Sequence, residues 1–403
     1  MAMILLKRSR LLEPLTHPWP GLMEVEVLVE DGIIKEVAEK IPLSTKSGAV
    51  EVDLKGCHLL PGLIDLHVHL DNEGIEYAVE NRQSDSFRAL KAAMFARRTL
   101  EAGFTTIRDC GGRNLVNIDL REAIAAGYVT GPRLLACGRV LTSTAIGNDE
   151  IPGMYREADG AEEVRKAARE QLAAEADFIK YMGTGSIGHL GSEPGSPTFN
   201  YDEVEVMVKE AAKLGRTVAA HAHGTIGIKH ALRAGVRTIE HASILDDECL
   251  EILKSGNSFI VPTLSAAQAL FDTDVSGNAV SMKEKSRWII ETLIDSISRA
   301  YKQGLKIGYG TDVGTSYNQH GSNFKEFLWR RDLVGMTPLD ILKQATCHNA
   351  EILGMADRLG MVSPGFIADL IAVNGDPTAD ISVMTRPPAL VMLDGSLIHT
   401  APL

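Results

Sequence analysis

The chain is short of cysteine. It has five among 403 residues, at positions 57, 110, 137, 249 and 347, an odd number with no close pairing. That excludes a disulfide framework and a Cys-rich zinc module, and it fits a reducing cytosol. No stretch approaches the roughly 20 apolar residues needed to span a bilayer. The first residues, Met-Ala-Met-Ile-Leu-Leu-Lys-Arg-Ser-Arg, set a short apolar stretch before the positive charges. A secretory signal needs the reverse order and a longer apolar core, so a cytoplasmic location without a membrane partner is expected. A block of Lys and Arg is missing too: 41 basic residues face 53 acidic ones, a formal net charge of −12. This balance argues against nucleic acid as a partner. Fixed-period repeats and low-complexity segments are likewise absent.

What is present is globular. Apolar residues make up 45% and charged ones 23%, near ordinary averages. At about 150 residues per domain, the length predicts two or three domains, or one large barrel with an accessory. Met23–Glu30 alternates with period two, Asp31-Gly32 signals a hairpin, and Ile33–Ala38 and Val50–Leu54 read as further strands. From His58 onward, short apolar runs alternate with helical stretches. The strand candidates are Gly62–His69, Thr105–Asp109, Leu134–Leu141, Phe178–Met182, Thr217–His223, Thr238–Ser243, Phe259–Leu264 and Lys306–Asp312. Gly103, Gly215, Gly235 and Gly304 sit where helix C-caps are expected. Eight strands, each followed by helix or long loop, predict an α/β fold, a (β/α)8 TIM-like barrel over residues 58–358. Strand patterns return at Ala368–Val373, Ala389–Leu393 and Ser396–Thr400. The two β-rich ends, 1–57 and 359–403, are expected to pair into one small β-sandwich domain.

The histidines fall on this frame unevenly. His67 and His69 stand two apart at the end of the first barrel strand, and His221 and His223 repeat the spacing on the fifth. Residues at i and i+2 of a strand face one side, so each pair can converge on a metal. His241 ends the sixth strand and Asp312 the eighth, and barrel active sites sit at these C-terminal ends. A lone His-x-His is more often core than ligand; the four elements together point to a metal centre. Lys180 lies inside the apolar run of the fourth strand. A lysine held in a barrel is costly to keep charged, and a neutral amine can take up carbon dioxide as a carbamate, an anionic bridging ligand.

These residues carry a resemblance. Gly-Leu-Ile-Asp-Leu-His-Val-His, Phe-Ile-Lys, Val-Ala-Ala-His-Ala-His-Gly, Ile-Glu-His and Gly-Thr-Asp, in this order, resemble the amidohydrolase superfamily. Thr346-Cys347-His348-Asn349-Ala350 and Gly365-Phe366-Ile367-Ala368-Asp369-Leu370 match its later segments. Within it the chain is most similar to the imidazolonepropionase-related, prolidase-like dipeptidase branch. The resemblance implies two divalent ions, usually zinc, with manganese, cobalt and iron also suited to the donor set. His67, His69 and Asp312 would hold one ion and His221 and His241 the other, with carboxylated Lys180 between them. Ions roughly 3.5–4 Å apart would share a hydroxide that attacks the substrate, Asp312 shuttling the proton to the leaving amine.

The expected substrate is a small molecule with an amide bond, a dipeptide (Xaa-Pro or other Xaa-amino acid) or an N-acyl amino acid. The alternative is a cyclic amide, lactone or carbamate of xenobiotic type; a non-catalytic scaffold would require a lost ligand. His223 is a second catalytic candidate, acting on the substrate carbonyl. Tyr181, His189 and His320 are candidates to line the pocket. Many dipeptidase relatives carry Gly-Gly-His after the third strand, where the histidine can meet the substrate carboxylate. Here Thr142-Ser143-Thr144-Ala145-Ile146-Gly147 stands instead. Arg113 is then the first candidate for a carboxylate, ahead of Arg82 and Arg156. Packing of exposed barrel helices into a homo-oligomer is a further expectation.

Overall fold

A computed structural model describes residues 3–12, 15, 24–75, 77–188, 192–272 and 279–400. The alternating N-terminal runs form β1 (Ile4–Leu11), β2 (Glu24–Glu30) and β3 (Ile33–Ala38), then β4 (Val50–Asp53) and β5 (His58–Pro61). Asp31 and Gly32 take φ of 51° and 81°, the left-handed pair that a two-residue hairpin requires. The middle of the chain supplies β6 (Leu63–Val68), β7 (Phe104–Asp109), β8 (Arg133–Ala136), β9 (Val140–Thr142) and β10 (Tyr155–Glu157). It continues with β11 (Phe178–Met182), β12 (Thr217–Ala222), β13 (Thr238–His241) and β14 (Phe259–Val261). Then come β15 (Leu370–Val373), β16 (Leu390–Leu393) and β17 (Ser396–Thr400).

The chain divides into two compact units, one made of Met1–Asp65, Arg97–Thr106 and Met336–Leu403, the other of Leu66–Ala96 and Ile107–Gly335. In the first, both chain ends share one sheet in the order β17-β16-β15-β5-β1-β2-β3, with β4 on β1. The join is antiparallel, Leu60 of β5 opposite Ile371 of β15. Leu6, Val27, Leu59, Leu370 and Leu390 are buried together in its core. A helix opened by Thr337 and Pro338 runs into a π turn at Gln344–His348, and Asn349 Nδ2 then donates to Ile64 O at 2.7 Å.

The second unit alternates strand and helix. Its strands β9, β11, β12, β13 and β14 are parallel neighbours, and β6, β7 and β8 form a further sheet. Parallel bridges at Ile260–Ile307 and Val68–Val313 extend the order through the last stave. Helices Asp85–Glu101, Ala161–Ala173, Tyr201–Ala212, Thr225–Ala234 and Asp247–Ser255 stand between strands. This is the TIM-barrel-like α/β arrangement expected.

Two strands differ from expectation. The run Leu134–Leu141 is broken at Gly138, whose φ is 71° and where a Cβ would lie 2.7 Å from Gln171 Oε1. The stretch 306–312 makes one isolated bridge, at Ile307, rather than a regular ladder. At Gly310 a Cβ would lie 2.6 Å from Val261 Cγ1 and 3.1 Å from His67 Cβ, so the segment passes close against its neighbours. Among the described residues, no helix is long and apolar enough to cross a membrane.

Candidate active site

Strand alternation turns His67 and His69 to one side of β6, their ring centroids 5.4 Å apart. His221 on β12 and His223 just past its end lie 4.7 Å apart, and His241 stands 4.5 Å from His221 and 5.1 Å from His67. Lys180, buried on β11, brings Nζ to 3.4 Å from His67 Nε2. Asp312 Oδ1 lies 3.2 Å from His69 Nε2 and 3.4 Å from His67 Nε2. His67, His241 and Asp312 offer ligand atoms within 4.8 Å of one another, and so do His221, His223 and His241. Two of these residues occupy the left-handed region, His241 at φ 68° and Asp312 at 58°, a strain that collects at functional sites.

Each ring is oriented by a protein partner. His67 Nδ1–H donates to Glu240 at 3.0 Å and His69 Nδ1–H to the Gly111 carbonyl at 2.8 Å. His241 Nδ1 meets the Thr263 hydroxyl at 2.6 Å, and His223 Nδ1 meets that of Ser243 at 2.8 Å. These rings therefore turn Nε2 to the centre. His221 is reversed: its Nε2–H donates to Gly185 O at 3.3 Å, leaving Nδ1 for the centre. Partners of this kind fix the tautomer of a metal-binding imidazole.

The electrostatics keep most of the rings neutral. Burial, then Lys180, pulls His67 down to about 4, and burial brings His223 to about 3. Burial and neighbouring histidines push His221 and His241 well below the ordinary value. For His69 burial is outweighed by Asp312, and the ring lies above the ordinary value. Asp312 is lowered, burial being overcome by His67 and His69. The mostly neutral imidazole set around the buried Asp312 carboxylate, whose Oδ1 faces the Nε2 atoms of His67 and His69, is the kind of donor set that divalent ions take. The donors fit such ions.

Glu240 and Arg108 escaped the sequence reading. Glu240 accepts from His67, from Arg108 Nη2 at 2.6 Å and from Thr238 Oγ1 at 2.5 Å, all buried. Burial would raise its carboxyl, but Arg108 and His67 hold it down at about 2. The available signal was a charge inside each of two strand runs, Thr-Thr-Ile-Arg-Asp and Thr-Ile-Glu-His. Cys110 also approaches His67 and Glu240, but burial pushes its thiol up to about 12.

The cluster opens into a cleft lined by His67, His69, Lys180, His221, His223, His241 and Asp312. The other expected contacts lie elsewhere. Tyr181 alternates with Lys180 on β11, so its ring packs on Phe199 and does not line the cleft. Arg113 pairs with Asp85 at 3.0 Å, and its Nη1 donates to Gln83 O at 3.2 Å. His320 stacks on Phe95, and its Nε2–H donates to His69 O and Asn72 O, behind the cleft rather than in it. Arg156 is held by Glu170 at 2.6 Å. His189 lies outside the described residues.

A barrel-like fold with histidines, a lysine and an aspartate gathered at its strand ends defines a class. Residues 58–398 match the amidohydrolase family, and the chain belongs to that family. It is a metal-dependent hydrolase acting on amide bonds, of a family that generally binds divalent ions. Ochratoxinase of Aspergillus niger is 31% identical over 358 residues, 82% of this chain and 73% of that protein. Among solved structures, a Xaa-Pro dipeptidase with methionine bound in its active site aligns at 30% identity and TM-score 0.89, covering 98% of this chain and 99% of the other. A prolidase complexed with N-methylphosphonate-L-proline aligns at 27% identity and TM-score 0.88, covering 99% and 100%. The prolidase-like branch is the one the sequence resembles.

Proposed function

We propose that the chain is a binuclear-metal amidohydrolase that cleaves a dipeptide (Xaa-Pro or other Xaa-amino acid) or an N-acyl amino acid. The observation that carries the reading is the convergence of His67, His69, Lys180, His221, His241 and Asp312 on one centre. His67, His69 and Asp312 would hold one ion, His221 and His241 the other, and carboxylated Lys180 would bridge them. When bound, two ions, zinc by this donor set, would polarise the scissile carbonyl and make water acidic enough to attack at neutral pH. Lys180 suits the bridge because its Nζ makes no ion pair within 4 Å to a described carboxylate. Asp312 takes the proton of the attacking water on its carboxylate and delivers it to the leaving nitrogen. His223 accepts from the Ser243 hydroxyl on Nδ1 and donates from Nε2–H to the substrate carbonyl oxygen.

Ochratoxinase, the Xaa-Pro dipeptidase and the prolidase support the substrate class. The apolar residues lining much of the cleft favour, as a second reading, a cyclic amide, lactone or carbamate, whose carbonyl the same groups would open. We assign the catalytic barrel to residues 58–358 and the small β-sandwich domain to 1–57 and 359–403, on the sheet that joins the two ends and also takes in β5 at the boundary, and a cytoplasmic location on the five free cysteines. The test is metal analysis of the purified protein together with a library of dipeptides bearing free or amidated C-termini. About two ions per chain and cleavage in the library are expected. A fully active protein without divalent metal would sink the mechanism, and equal cleavage of free and amidated forms would refute a dipeptidase that reads the carboxylate.

A further inference from the structure

The lining of the cleft holds two apolar walls besides the histidines. One is a packed cluster of Val140, Ile151, Met154 and Tyr155, with Tyr77 and Met182 against it. The other is formed by helices Leu264–Asp272 and Ala279–Lys302, which present Ala267, Leu270, Ile289 and Leu293. Ser286 Oγ–H donates to Ala267 O at 2.6 Å and ties these two helices together. Among the described residues lining the cleft, Lys180 is the one lysine or arginine, and it belongs to the metal cluster. A charged end of a substrate lying on either wall would be desolvated against hydrocarbon, which is costly without a partner.

The walls are not equivalent with respect to Asp312. Tyr317 N–H donates to Gly74 O at 2.8 Å and Ser316 Oγ–H to Ile75 O at 3.4 Å, so the segment leading to Tyr77 is tied to the loop after Asp312. Thr315 Oγ1–H donates to Asp312 O at 2.6 Å within that loop. The second wall instead begins at Leu264, next to Thr263, the partner of His241. The leaving nitrogen takes its proton on the Asp312 side.

We propose that the cleft selects amides with an uncharged apolar group on both sides of the scissile bond. The amine-side arm lies against Tyr77, Met154 and Tyr155, and the acyl-side arm against Leu270, Ile289 and Leu293. This specificity rests on the amide-hydrolase reading above and, within it, takes the side of the second, neutral class of substrate, since a dipeptide or N-acyl amino acid would bring a carboxylate to the amine-side wall.

The test uses the metal-loaded protein and two series of neutral amides, anilides with acyl chains from acetyl to octanoyl and butyramides with amine arms from methyl to phenethyl. kcat/KM is expected to rise about fourfold per added methylene in each series until the wall is covered. Leu270→Ala should flatten the acyl series alone and Met154→Ala the amine series alone, each variant keeping the wild-type gain per methylene on its other series even where its absolute rate is lower. Ketone analogues, which cannot be cleaved, are titrated calorimetrically against the same protein. Length-dependent ketone binding with no amide cleaved overturns the hydrolase reading while supporting the two-walled cleft. Cleavage with no length dependence overturns the specificity and leaves the hydrolase reading intact. It is also overturned if each variant flattens the opposite series, or if a terminal carboxylate on the amine arm raises kcat/KM about tenfold.

Discussion

Replacing Glu240 with glutamine tests whether a buried carboxylate outside the proposed ligand set fixes the metal-facing edge of His67. Glutamine keeps the shape and removes the charge. Arg108 then remains a buried cation whose other acceptors, Leu66 O at 2.8 Å and Thr238 Oγ1 at 3.1 Å, are neutral. Removing one partner of a buried pair costs about 3–5 kcal/mol. A second route gives the same scale. Burial favours the neutral acid, yet Arg108 and His67 hold Glu240 at about 2 against an ordinary 4.5. At about 1.4 kcal/mol per pH unit, that gap corresponds to about 3 kcal/mol of stability. Because the folded value lies below the unfolded one, this contribution is present above about pH 4.5 and is lost as the pH falls toward 2. Partners of metal-binding histidines also govern affinity, typically by about 10–100-fold. Glu240→Gln should therefore lower the urea midpoint by the equivalent of about 3 kcal/mol at pH 7 and weaken zinc binding, read by chelator competition, about 10–100-fold. The difference in midpoint from wild type should shrink as the pH falls below about 4.5. A variant with wild-type midpoint and wild-type metal affinity would refute the reasoning. Lost stability with unchanged metal affinity would show that Glu240 serves Arg108 and leaves His67 alone.

Asp312→Asn should lower kcat by about 10²–10⁴-fold, the usual worth of a positioned proton carrier, and near-normal turnover at full metal content would dismiss that role. Gly111→Ala should lose about 1–3 kcal/mol and weaken metal binding. Gly111 has φ 142°, a Cβ there would lie 2.4 Å from Val140 Cγ2, and its carbonyl holds His69, so an unchanged melting temperature and metal affinity would contradict the geometry. Burial raises the Glu80 carboxyl to about 7, against the opposing Glu73 N–H and the Lys91 and Arg88 charges. Its folded value is above its unfolded one, so the stability it contributes is full below about pH 4.5 and is lost as the pH rises through about 7. Glu80→Gln should flatten the fall in melting temperature over that range, and an unaltered profile would reject the assignment.

The convergence of the proposed metal donors was legible because strand geometry is local. His67 and His69, or His221 and His223, share a side by the period of two, and Lys180 stands out as a charge in an apolar run. The same period turns Tyr181 away from Lys180, a consequence available in the sequence and not drawn from it. Arg113 and His320 were not legible. Each follows a strand end, and what decides its direction is a partner far along the chain, Asp85 for Arg113 and the carbonyls of His69 and Asn72 for His320. The two chain ends could be matched by alternation, but the register that sets Leu60 opposite Ile371 is fixed by residues more than 300 apart.

Glu240 shows why the period fails where the chemistry begins. Glu240 and His241 are consecutive, and a regular strand would send them to opposite faces. Yet Glu240 bonds His67, and the ring of His241 lies 5.1 Å from the ring of His67. The φ of 68° at His241 turns the chain at that residue, so that both side chains meet the same imidazole from two sides. Asp312, at φ 58°, takes the same departure at the end of the last stave and brings Oδ1 between His67 and His69. Left-handed backbone at a non-glycine residue costs on the order of 1–3 kcal/mol and persists where its surroundings hold it. Here the holding contacts are the Thr263 hydroxyl on His241 and the His67 carbonyl, which accepts from Asp312 N–H at 2.7 Å. The strain is therefore part of how the centre is assembled: it lets strand ends deliver a ligand and that ligand's neighbour to one point, which an unstrained strand cannot do.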